Sequence, residues 1–442
     1  GTEIKLFLNE EGHEFCSKWS LDSLIKKYSN HIAFPIYLHF EETKTEGEGD
    51  DKVETKEQKV EQMNSASAFW KQQKSSLKKK QYVDFFQSLS HDQDEPYMYI
   101  HTQAEGTIDY TTLFYIPKKA PMDMFRADYK SGIKLYVKRV FITDDDKELM
   151  PGYLRFLRGI IDTEDLPLNV SREILQKNRV LAKIKSNSVK KVLSEIKKGM
   201  KNQEKYIEFF NEFGKLLKEG LYHDFENRDM LFDLILFKTT HDGSEWTSLA
   251  DYTDRMNSDQ KTIYYITGEN ATALRNSPLL EMYNKKNIEV LIMDDEVDEI
   301  VFSTVPKYKD FDLKPVNKSD SIQDLKDDEH NKKEDNLKPL IKKMKGVLDN
   351  KVKDINVSIR LSDSPACIVA DANDPTAQLQ QIMKAMGQNS GQEFKPILEI
   401  NPDHKIIKKM KDMRKGQDFD NLCHMLYEQS LLIEGVKLDD PS

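Results

Sequence analysis

The amino-acid sequence predicts a chain of several domains in the α/β and α+β classes, because short strand-like apolar runs alternate with helical segments. Residues 263–266 and 290–293 are strand-like and flank a helical segment at 272–285, a β-α-β arrangement that requires a parallel sheet. Two polar stretches, residues 41–62 and 316–336, separate the more apolar parts. A length of 442 residues also suggests about three domains.

The first folded region, a large layered αβα subdomain, is predicted at residues 63–200. Strands are predicted at 112–117 and 133–142, where apolar residues alternate or run together. Residues 153–161 and 189–196 carry apolar side chains at i, i+3, i+4 and i+7 spacing. That spacing predicts helices that face the core.

Connecting helices are predicted at 201–235, followed by a smaller αβα subdomain at 236–315. The polar connector at 316–336 then leads to a small α+β domain at 337–442. Its predicted elements are a helix at 340–348, a strand pair at 355–370 broken at SDSP, a strand at 394–400 and a long helix at 418–435.

The stretch at residues 41–62 contains two valines and otherwise only charged residues, Thr, Gly and Gln. Such a segment cannot bury enough apolar surface to offset the entropy lost on ordering, so we expect a mobile charged linker. Before it, Leu21, Leu24 and Ile25 lie at helical spacing, which predicts a helix within residues 19–40.

Composition excludes several classes of protein. The chain has no apolar run long enough for a transmembrane helix, and residues 1–10 lack the apolar region of a signal peptide. Its three cysteines are far apart, which indicates a reducing compartment, and we expect the cytoplasm. A net charge of −10 disfavours nucleic acid as the main partner. The pairs His13 with Cys16 and Cys423 with His424 lack a second pair at ligand spacing, so we expect no metal site.

The sequence DLPLNVSREILQ, at residues 165–176, is chemically unusual. Pro167 forces the preceding residue to be extended, and Asn169 and Ser171 offer caps for a helix that begins at Arg172. An arginine in a first helical turn lies at the positive end of the helix dipole, which disfavours a cation. We therefore interpret Arg172 as a ligand for an anionic group, and the free N–H groups of a helix start suit phosphate.

This segment resembles the middle domain of the heat-shock-protein-90 (Hsp90) chaperones of the bacterial HtpG type. Further segments carry the resemblance in order and spacing: YTTLFYIPKKAPMDMF, IKLYVKRVFITDD, KTIYYITG, NIEVLIMDDEVDE and LEINPDH. On these motifs the chain is identified as a member of that family. The resemblance implies an ATP-driven molecular chaperone that acts in protein folding and the stress response.

The resemblance also assigns residues to nucleotide chemistry. It implies that Arg172 reaches the γ-phosphate of ATP held by a separate N-terminal domain of the same chain, with Gln176 one turn later on the same face. Thr2 corresponds to a threonine that lines the adenine pocket. Residues 1–40 correspond to the end of that nucleotide-binding domain, so we expect a remnant of it here. ATP and Mg²⁺ are then cofactors of the full-length protein, and this chain alone is expected to have no ATPase activity.

Four apolar side chains fall on one stripe of the predicted helix at 377–386: Leu379, Ile382, Met383 and Met386. The pattern alone also fits an ordinary core-facing helix. Methionine suits adaptable binding surfaces, and the resemblance implies that this helix holds unfolded or partly folded client proteins. It also implies client contact near Trp70, although Gln93 stands where the family has a loop aromatic residue.

The predicted helix at 418–435 carries a wide apolar arc that includes Phe419, Leu422, Leu426 and Ile433. The resemblance implies a homodimer built from two helices of each C-terminal domain, and an arc this wide suits a helix that also meets a neighbour. The second helix would begin at residues 440–441, so we expect a monomer or a weak dimer here and a firm dimer of the full-length protein. The resemblance further implies that Phe141 docks the nucleotide domain.

Two other classes of function remain as alternatives. Gyrase-type and mismatch-repair ATPases share the nucleotide fold and act on DNA, but they use a lysine in a different motif together with basic surfaces, and neither feature is visible in this sequence. An ATP-independent scaffold would require Arg172 to be dispensable.

Overall fold

A computed structural model of the chain describes residues 1–46, 53–126, 129, 132–144, 149–167, 178–241, 246–325, 328–387, 395–436 and 438. It consists of two compact units, Gly1–Phe213 and Gly214–Ser442. None of the described helices is both long enough and apolar enough to cross a lipid bilayer. The three cysteines are free, as the sequence predicts.

The first unit contains four helices and seven strands among its described residues. They are α1 (Lys18–Tyr28), β1 (Tyr37–Glu46), β2 (Val53–Gln62), α2 (Lys79–Ser90), β3 (Met98–Ala104), β4 (Tyr110–Ile116), β5 (Gly132–Val137), β6 (Val140–Thr143), β7 (Arg158–Thr163), α3 (Arg179–Gly199) and the first half of α4 (Gln203–His223).

Five of these strands form one sheet in the order β3-β4-β7-β5-β6. β7 pairs with β4 antiparallel and with β5 parallel, and both β4 and β7 are largely buried. The strands predicted at 112–117 and 133–142 are confirmed, although the second is a hairpin. Lys138 and Arg139 have positive φ angles and turn the chain between β5 and β6. Positive φ at both turn residues matches the twist of the strands on either side.

The helix predicted at residues 153–161 is wrong, because this segment holds a short 3-10 helix, Gly152–Leu154, and then the central strand β7. A fully buried strand is apolar on both faces, so its sequence cannot be told from a helix by periodicity. Gly159 permits the pairing with β4. It has a φ of +144°, and a Cβ there would lie 2.1 Å from the carbonyl oxygen of Leu113.

The charged linker predicted as mobile contains an antiparallel hairpin of β1 and β2 over its described residues. Charged and polar side chains pair across the two strands. Lys59 contacts Glu42, and the Gln58 amide donates to Glu41 at 2.7 Å. Cross-strand pairs of this kind stabilise a hairpin even where little apolar surface is buried. Composition alone does not reveal such pairs.

The second unit contains the remainder of α4, nine further helices and nine strands among its described residues. They are α5 (Arg228–Leu234), β8 (Leu236–Thr239), β9 (Thr247–Ser248), α6 (Leu249–Arg255), β10 (Thr262–Thr267), α7 (Ala271–Arg275), α8 (Glu281–Lys285), β11 (Val290–Met293), α9 (Asp298–Ser303), β12 (Lys307–Tyr308), β13 (Phe311–Pro315), α10 (Asp328–Leu348), β14 (Asp354–Val357), β15 (Ala366–Val369), α11 (Ala377–Ala385), β16 (Ile397–Ile400), α12 (Lys405–Asp412) and α13 (Gln417–Ile433).

The predicted β-α-β unit is confirmed, because β10 and β11 pair in parallel within a six-stranded sheet of order β12-β13-β10-β11-β8-β9. Its single predicted helix is instead two short helices, α7 and α8, separated by a 3-10 turn that begins at Pro278. A proline lacks the N–H that a continuous helix would need at that point.

A three-stranded sheet of order β14-β16-β15 forms the second sheet of this unit. The strands predicted at 355–370 exist but do not pair with each other, because β16 lies between them. Helix α10 begins at Asp328, inside the connector that was predicted as polar and separate. The structure therefore has the mixed α/β, multidomain character that the sequence predicts.

Candidate functional site

The candidate functional site is helix α11 together with the residues that hold it. Thr376 precedes the helix, and its side-chain oxygen accepts the N–H of Leu379 at 3.1 Å. This is a threonine N-cap, which satisfies one of the free donors of the first turn. The helix therefore begins where the sequence predicts the apolar stripe to begin.

The apolar stripe of α11 is not part of a closed core. Leu379, Ile382 and Met383 are half-buried, and Met386 is 63% exposed. The buried side chain of this helix is instead Gln380, which is only 8% exposed. On a helical projection Gln380 lies beside the stripe, and the opposite side, with Gln381 and Lys384, is exposed. The stripe is therefore partly packed, and its accessible end is Met386.

The packed side of α11 is anchored on Glu299, a buried residue of α9. The hydroxyl of Thr376 donates to one carboxylate oxygen of Glu299, and the hydroxyl of Thr267 donates to the other. Thr267 ends β10, so the carboxylate joins the start of α11 to both α9 and β10. Hydrogen bonds to a charged acceptor are stronger than neutral ones, which favours a fixed position for the helix.

A second anchor lies under the three-stranded sheet. The guanidinium of Arg360 is fully buried, and its Nε donates to the Glu399 carboxylate at 3.2 Å. Its other nitrogens donate to the carbonyl oxygens of Val316 and Lys318 and to the hydroxyl of Ser321. Arg360 thereby joins the chain that follows β13 to strand β16 of the three-stranded sheet.

A third anchor is the carboxylate of Glu281 on α8. It accepts backbone N–H groups from three successive residues of the loop between β14 and β15, at 2.6 Å from Ser362, 2.9 Å from Asp363 and 3.1 Å from Ser364. Glu281, Glu299 and Arg360 cannot be identified from the sequence alone. Each acts on a residue distant in sequence, and no local spacing indicates such a pairing.

The prediction that Trp70 contacts clients is wrong for this structure, because Trp70 is completely buried. Its indole N–H donates to Asp162 at 2.8 Å, and its ring packs edge-on against His31 with 4.7 Å between centroids. A tryptophan whose N–H is satisfied internally is a core residue. The expectation of client contact there came from the resemblance and not from the burial of this residue.

Phe141 lies in β6 and is buried against two rings, Tyr28 of α1 and Tyr136 of β5, each with 5.8 Å between centroids. Tyr28 belongs to residues 1–40, the segment that the sequence predicts as the end of a nucleotide domain, and docking of such a domain by Phe141 stays a prediction. Arg172 and Gln176 lie outside the described residues. Helix α3 begins after them, at Arg179, with Asn178 as its N-cap.

The four residues predicted for dimerisation divide into two groups. Phe419 and Leu426 are fully buried in the core of the three-stranded sheet, which corrects their assignment to an interface. Leu422 is half-buried against that core, whereas Ile433 is exposed. Met425 and Leu432 are exposed as well, so the accessible apolar face of α13 is centred on different residues from those predicted.

The described residues around Thr2 do not fit a nucleotide site. Residues 1–11 are all exposed, and residues 1–9 form no regular secondary structure, although residues 1–10 alternate in sequence as a strand would. A nucleotide pocket encloses most of its ligand, and an exposed segment of this kind does not.

A family model described as "Hsp90 protein" matches residues 40–442 of this chain. The chain therefore belongs to the Hsp90 family, in agreement with the resemblance seen in its motifs.

Several curated relatives are similar over the whole chain. Chaperone protein HtpG of Treponema denticola is 53% identical over 449 residues, which cover 100% of this chain and 70% of that protein. The protein of the same name from Wolinella succinogenes is 49% identical over 443 residues, with the same coverage. That of Treponema pallidum is 49% identical over 444 residues, which cover 99% of this chain and 69% of the relative.

Proposed function

We propose that this chain acts as a molecular chaperone that holds partly folded polypeptides on the accessible apolar stripe of α11. One observation carries the proposal: Met386 is 63% exposed and Leu379, Ile382 and Met383 are only half-buried, so part of the stripe is accessible to a client. Family membership supports the chaperone class, and the curated relatives are named chaperones. A bacterial, cytoplasmic setting is consistent with those relatives.

The chemistry of the stripe suits clients of many sequences. Met383 and Met386 have flexible, polarisable side chains that adapt to irregular apolar surfaces. Burial of apolar surface contributes roughly 25 cal/mol per Å², without directional requirements. Glu299 holds the start of the helix through Thr376, while Arg360 and Glu281 fix the neighbouring sheet and loop. A client can then contact the stripe without requiring the helix to refold.

The proposal is tested by suppression of aggregation of a thermally unfolded model protein. The double substitution Ile382→Ser and Met383→Ser should weaken suppression while leaving the melting temperature within about 2 °C of the unmodified chain. The matched control, Gln381→Ser with Lys384→Ser, changes exposed polar residues of the same helix and should leave suppression intact. A large fall in melting temperature for the first variant would instead assign the stripe to the core.

We also propose that Arg172, with Gln176 beside it, assists ATP hydrolysis in a nucleotide-binding domain of the full-length protein. This rests on the motif at residues 165–176 and on membership of the Hsp90 family. Because the residues around Thr2 do not fit a nucleotide site, no step is assigned to ATP within the described part of the chain. Arg172→Ala in the full-length protein should lower kcat far more than nucleotide affinity.

The proposed assembly is a homodimer through the C-terminal domain, with Met425, Leu432 and Ile433 as the accessible apolar residues. The proposed domain order keeps the predicted boundaries: a nucleotide-domain segment, a charged linker, large and small middle subdomains, and the C-terminal domain. A role on DNA gains no support, because the family model and the three relatives described above all belong to chaperones.

A further inference from the structure

A buried ion cluster joins the second half of α4 to the start of α9. The ammonium of Lys218 on α4 lies 2.9 Å from a carboxylate oxygen of Asp298 and 2.7 Å from one of Asp295. Lys218 is 3% exposed, and Asp298 is fully buried. Charged side chains are almost never buried unless they are paired, so these groups depend on one another.

The two carboxylates keep Lys218 charged. Burial alone would lower the pKa of this lysine, but Asp298 and Asp295 raise the pKa above its ordinary value, so the ammonium stays protonated. Asp298 depends on the lysine in return, because burial raises the pKa of its carboxyl group and Lys218 opposes that shift. Removal of Lys218 would leave Asp298 without the charge that favours its ionised form.

Asp298 also builds the first turn of α9. Its Oδ2 accepts the backbone N–H of Asp295 at 3.0 Å, and its own N–H donates to the carbonyl oxygen of Asp295 at 2.9 Å. These two hydrogen bonds close the turn that leads from β11 into α9. Because Lys218 holds both aspartates, α4 fixes the position of this turn.

The next residue of α9, Glu299, carries the connection to α11. Successive side chains of a helix point about 100° apart, so Asp298 and Glu299 reach different neighbours from the same turn. The carboxylate of Glu299 accepts the hydroxyl of Thr376, and the oxygen of that hydroxyl accepts the N–H of Leu379 at 3.1 Å. Two consecutive acidic residues therefore link Lys218 to the N-cap of α11.

We propose that Lys218 is a positioning residue for α11. It acts through Asp298 and Glu299 on the Thr376 cap. A shift of α9 moves Glu299 away from Thr376, and the threonine hydroxyl is then no longer held in the orientation that caps the helix. Helix α11 is only nine residues long, and helices this short depend on their caps and packing. The order of α11 thus depends on a charge on α4, and the functional meaning of this dependence rests on the proposed client site.

Hydrogen exchange of the intact chain without client tests the proposal. In Lys218→Met, the amides of residues 380–386 should exchange about fivefold faster than in the unmodified chain, the effect of losing one helix cap. The amides of α12, a capped helix of eight residues in the same unit, should keep their rates. Lys215→Met is the matched control, because Lys215 lies on the same helix but pairs with Asp295, at 3.8 Å, rather than with Asp298. It should change neither set of amides.

A second variant covers the case in which Lys218→Met does not fold. Asp298→Ala leaves Lys218 paired with Asp295 and interrupts the same connection, so it should also accelerate exchange at residues 380–386.

Two results would overturn the proposal. Equal acceleration of α11 and α12 would show that Lys218 stabilises the unit as a whole, and unchanged exchange at residues 380–386 would show that α11 does not depend on it. Client affinity is measured separately on the same variants. Faster exchange in α11 with unaltered client affinity would contradict the proposed client site and leave the role of Lys218 standing.

Discussion

Arg360 and Glu399 form an ion pair that is buried on both sides, with 3.2 Å between Nε and Oε2. The pair lies in the second unit and joins β16 to the chain that follows β13. Ser358 donates to the same carboxylate at 2.7 Å, so the acceptor is further satisfied. A buried pair is tolerated only when its remaining donors and acceptors are satisfied, and here three further groups accept from Arg360.

Arg360→Met should therefore destabilise the second unit by about 3–5 kcal/mol, because Glu399 would remain buried without a partner. Arg360→Met combined with Glu399→Gln should recover part of the loss, since the unpaired charge is gone. Urea unfolding monitored by circular dichroism measures both variants. A loss below about 1 kcal/mol for the single variant would show that the pair is not needed for the fold.

Trp70→Phe removes the indole donor to Asp162 while it keeps most of the ring. We expect a stability loss of about 1–3 kcal/mol, the cost of leaving a buried polar group less satisfied. Suppression of aggregation by the folded protein should not change. If the variant keeps its stability but suppresses aggregation more weakly, Trp70 contacts clients as the resemblance implies.

The stability of the first unit should depend on pH through two histidines. Burial lowers the pKa of His31 and of His101. The Nδ1–H of His31 donates to the carbonyl oxygen of Ser67, and the Nε2–H of His101 donates to the carbonyl oxygen of Trp70. Because the folded pKa lies below the ordinary value of 6.5, the unfolded chain binds more protons as the pH falls. The free energy of unfolding is therefore highest above about pH 6.5 and decreases progressively as the pH falls below that value.

Denaturation midpoints measured between about pH 7.5 and pH 5.5 test this dependence. His31→Gln should flatten the profile, whereas His39→Gln, at an exposed position of β1, should not. A profile that is equally steep in both variants would assign the acid sensitivity to other groups.

The two faces of α13 should respond differently to substitution. Leu432→Ser with Ile433→Ser changes residues that are 58% and 45% exposed, so any dimer should weaken while the melting temperature stays the same. Phe419→Ala should instead lower stability by about 3–5 kcal/mol, because Phe419 fills the core of the three-stranded sheet. Sedimentation velocity and thermal unfolding separate the two effects. If Leu432 and Ile433 instead pack in the core, Leu432→Ser with Ile433→Ser will lower the melting temperature as Phe419→Ala does.

Long periodic segments were predictable from sequence because their apolar residues repeat at the spacing of one regular structure. The helix over residues 189–196 and the parallel pairing of β10 with β11 follow from such repeats. Strand β7 was missed because a strand buried on both faces has no alternation to detect. The hairpin of β1 and β2 was missed because its contacts are made between charged side chains rather than through apolar burial.

The candidate site was predictable only in part. The stripe of α11 follows from helical spacing, but spacing alone does not determine which side of a helix faces the core. The exposure of each side chain decides that question, and it depends on tertiary structure: Met386 is exposed, while Gln380 beside the stripe is buried. For the same reason, the apolar arc of α13 and the resemblance together assigned Phe419 and Leu426 to a dimer interface although both lie in the core.

Client capture by α11 is tested most directly by a binding titration with a fluorescently labelled polypeptide that is reduced and alkylated so that it cannot fold. The unmodified chain, Ile382→Ser with Met383→Ser, and Gln381→Ser with Lys384→Ser are compared at equal fractions of folded protein. We expect the apolar double variant to bind at least about tenfold more weakly, a difference of about 1.4 kcal/mol, and the polar double variant to bind as the unmodified chain does. Equal affinity for all three proteins would contradict the proposal that the stripe on α11 holds clients.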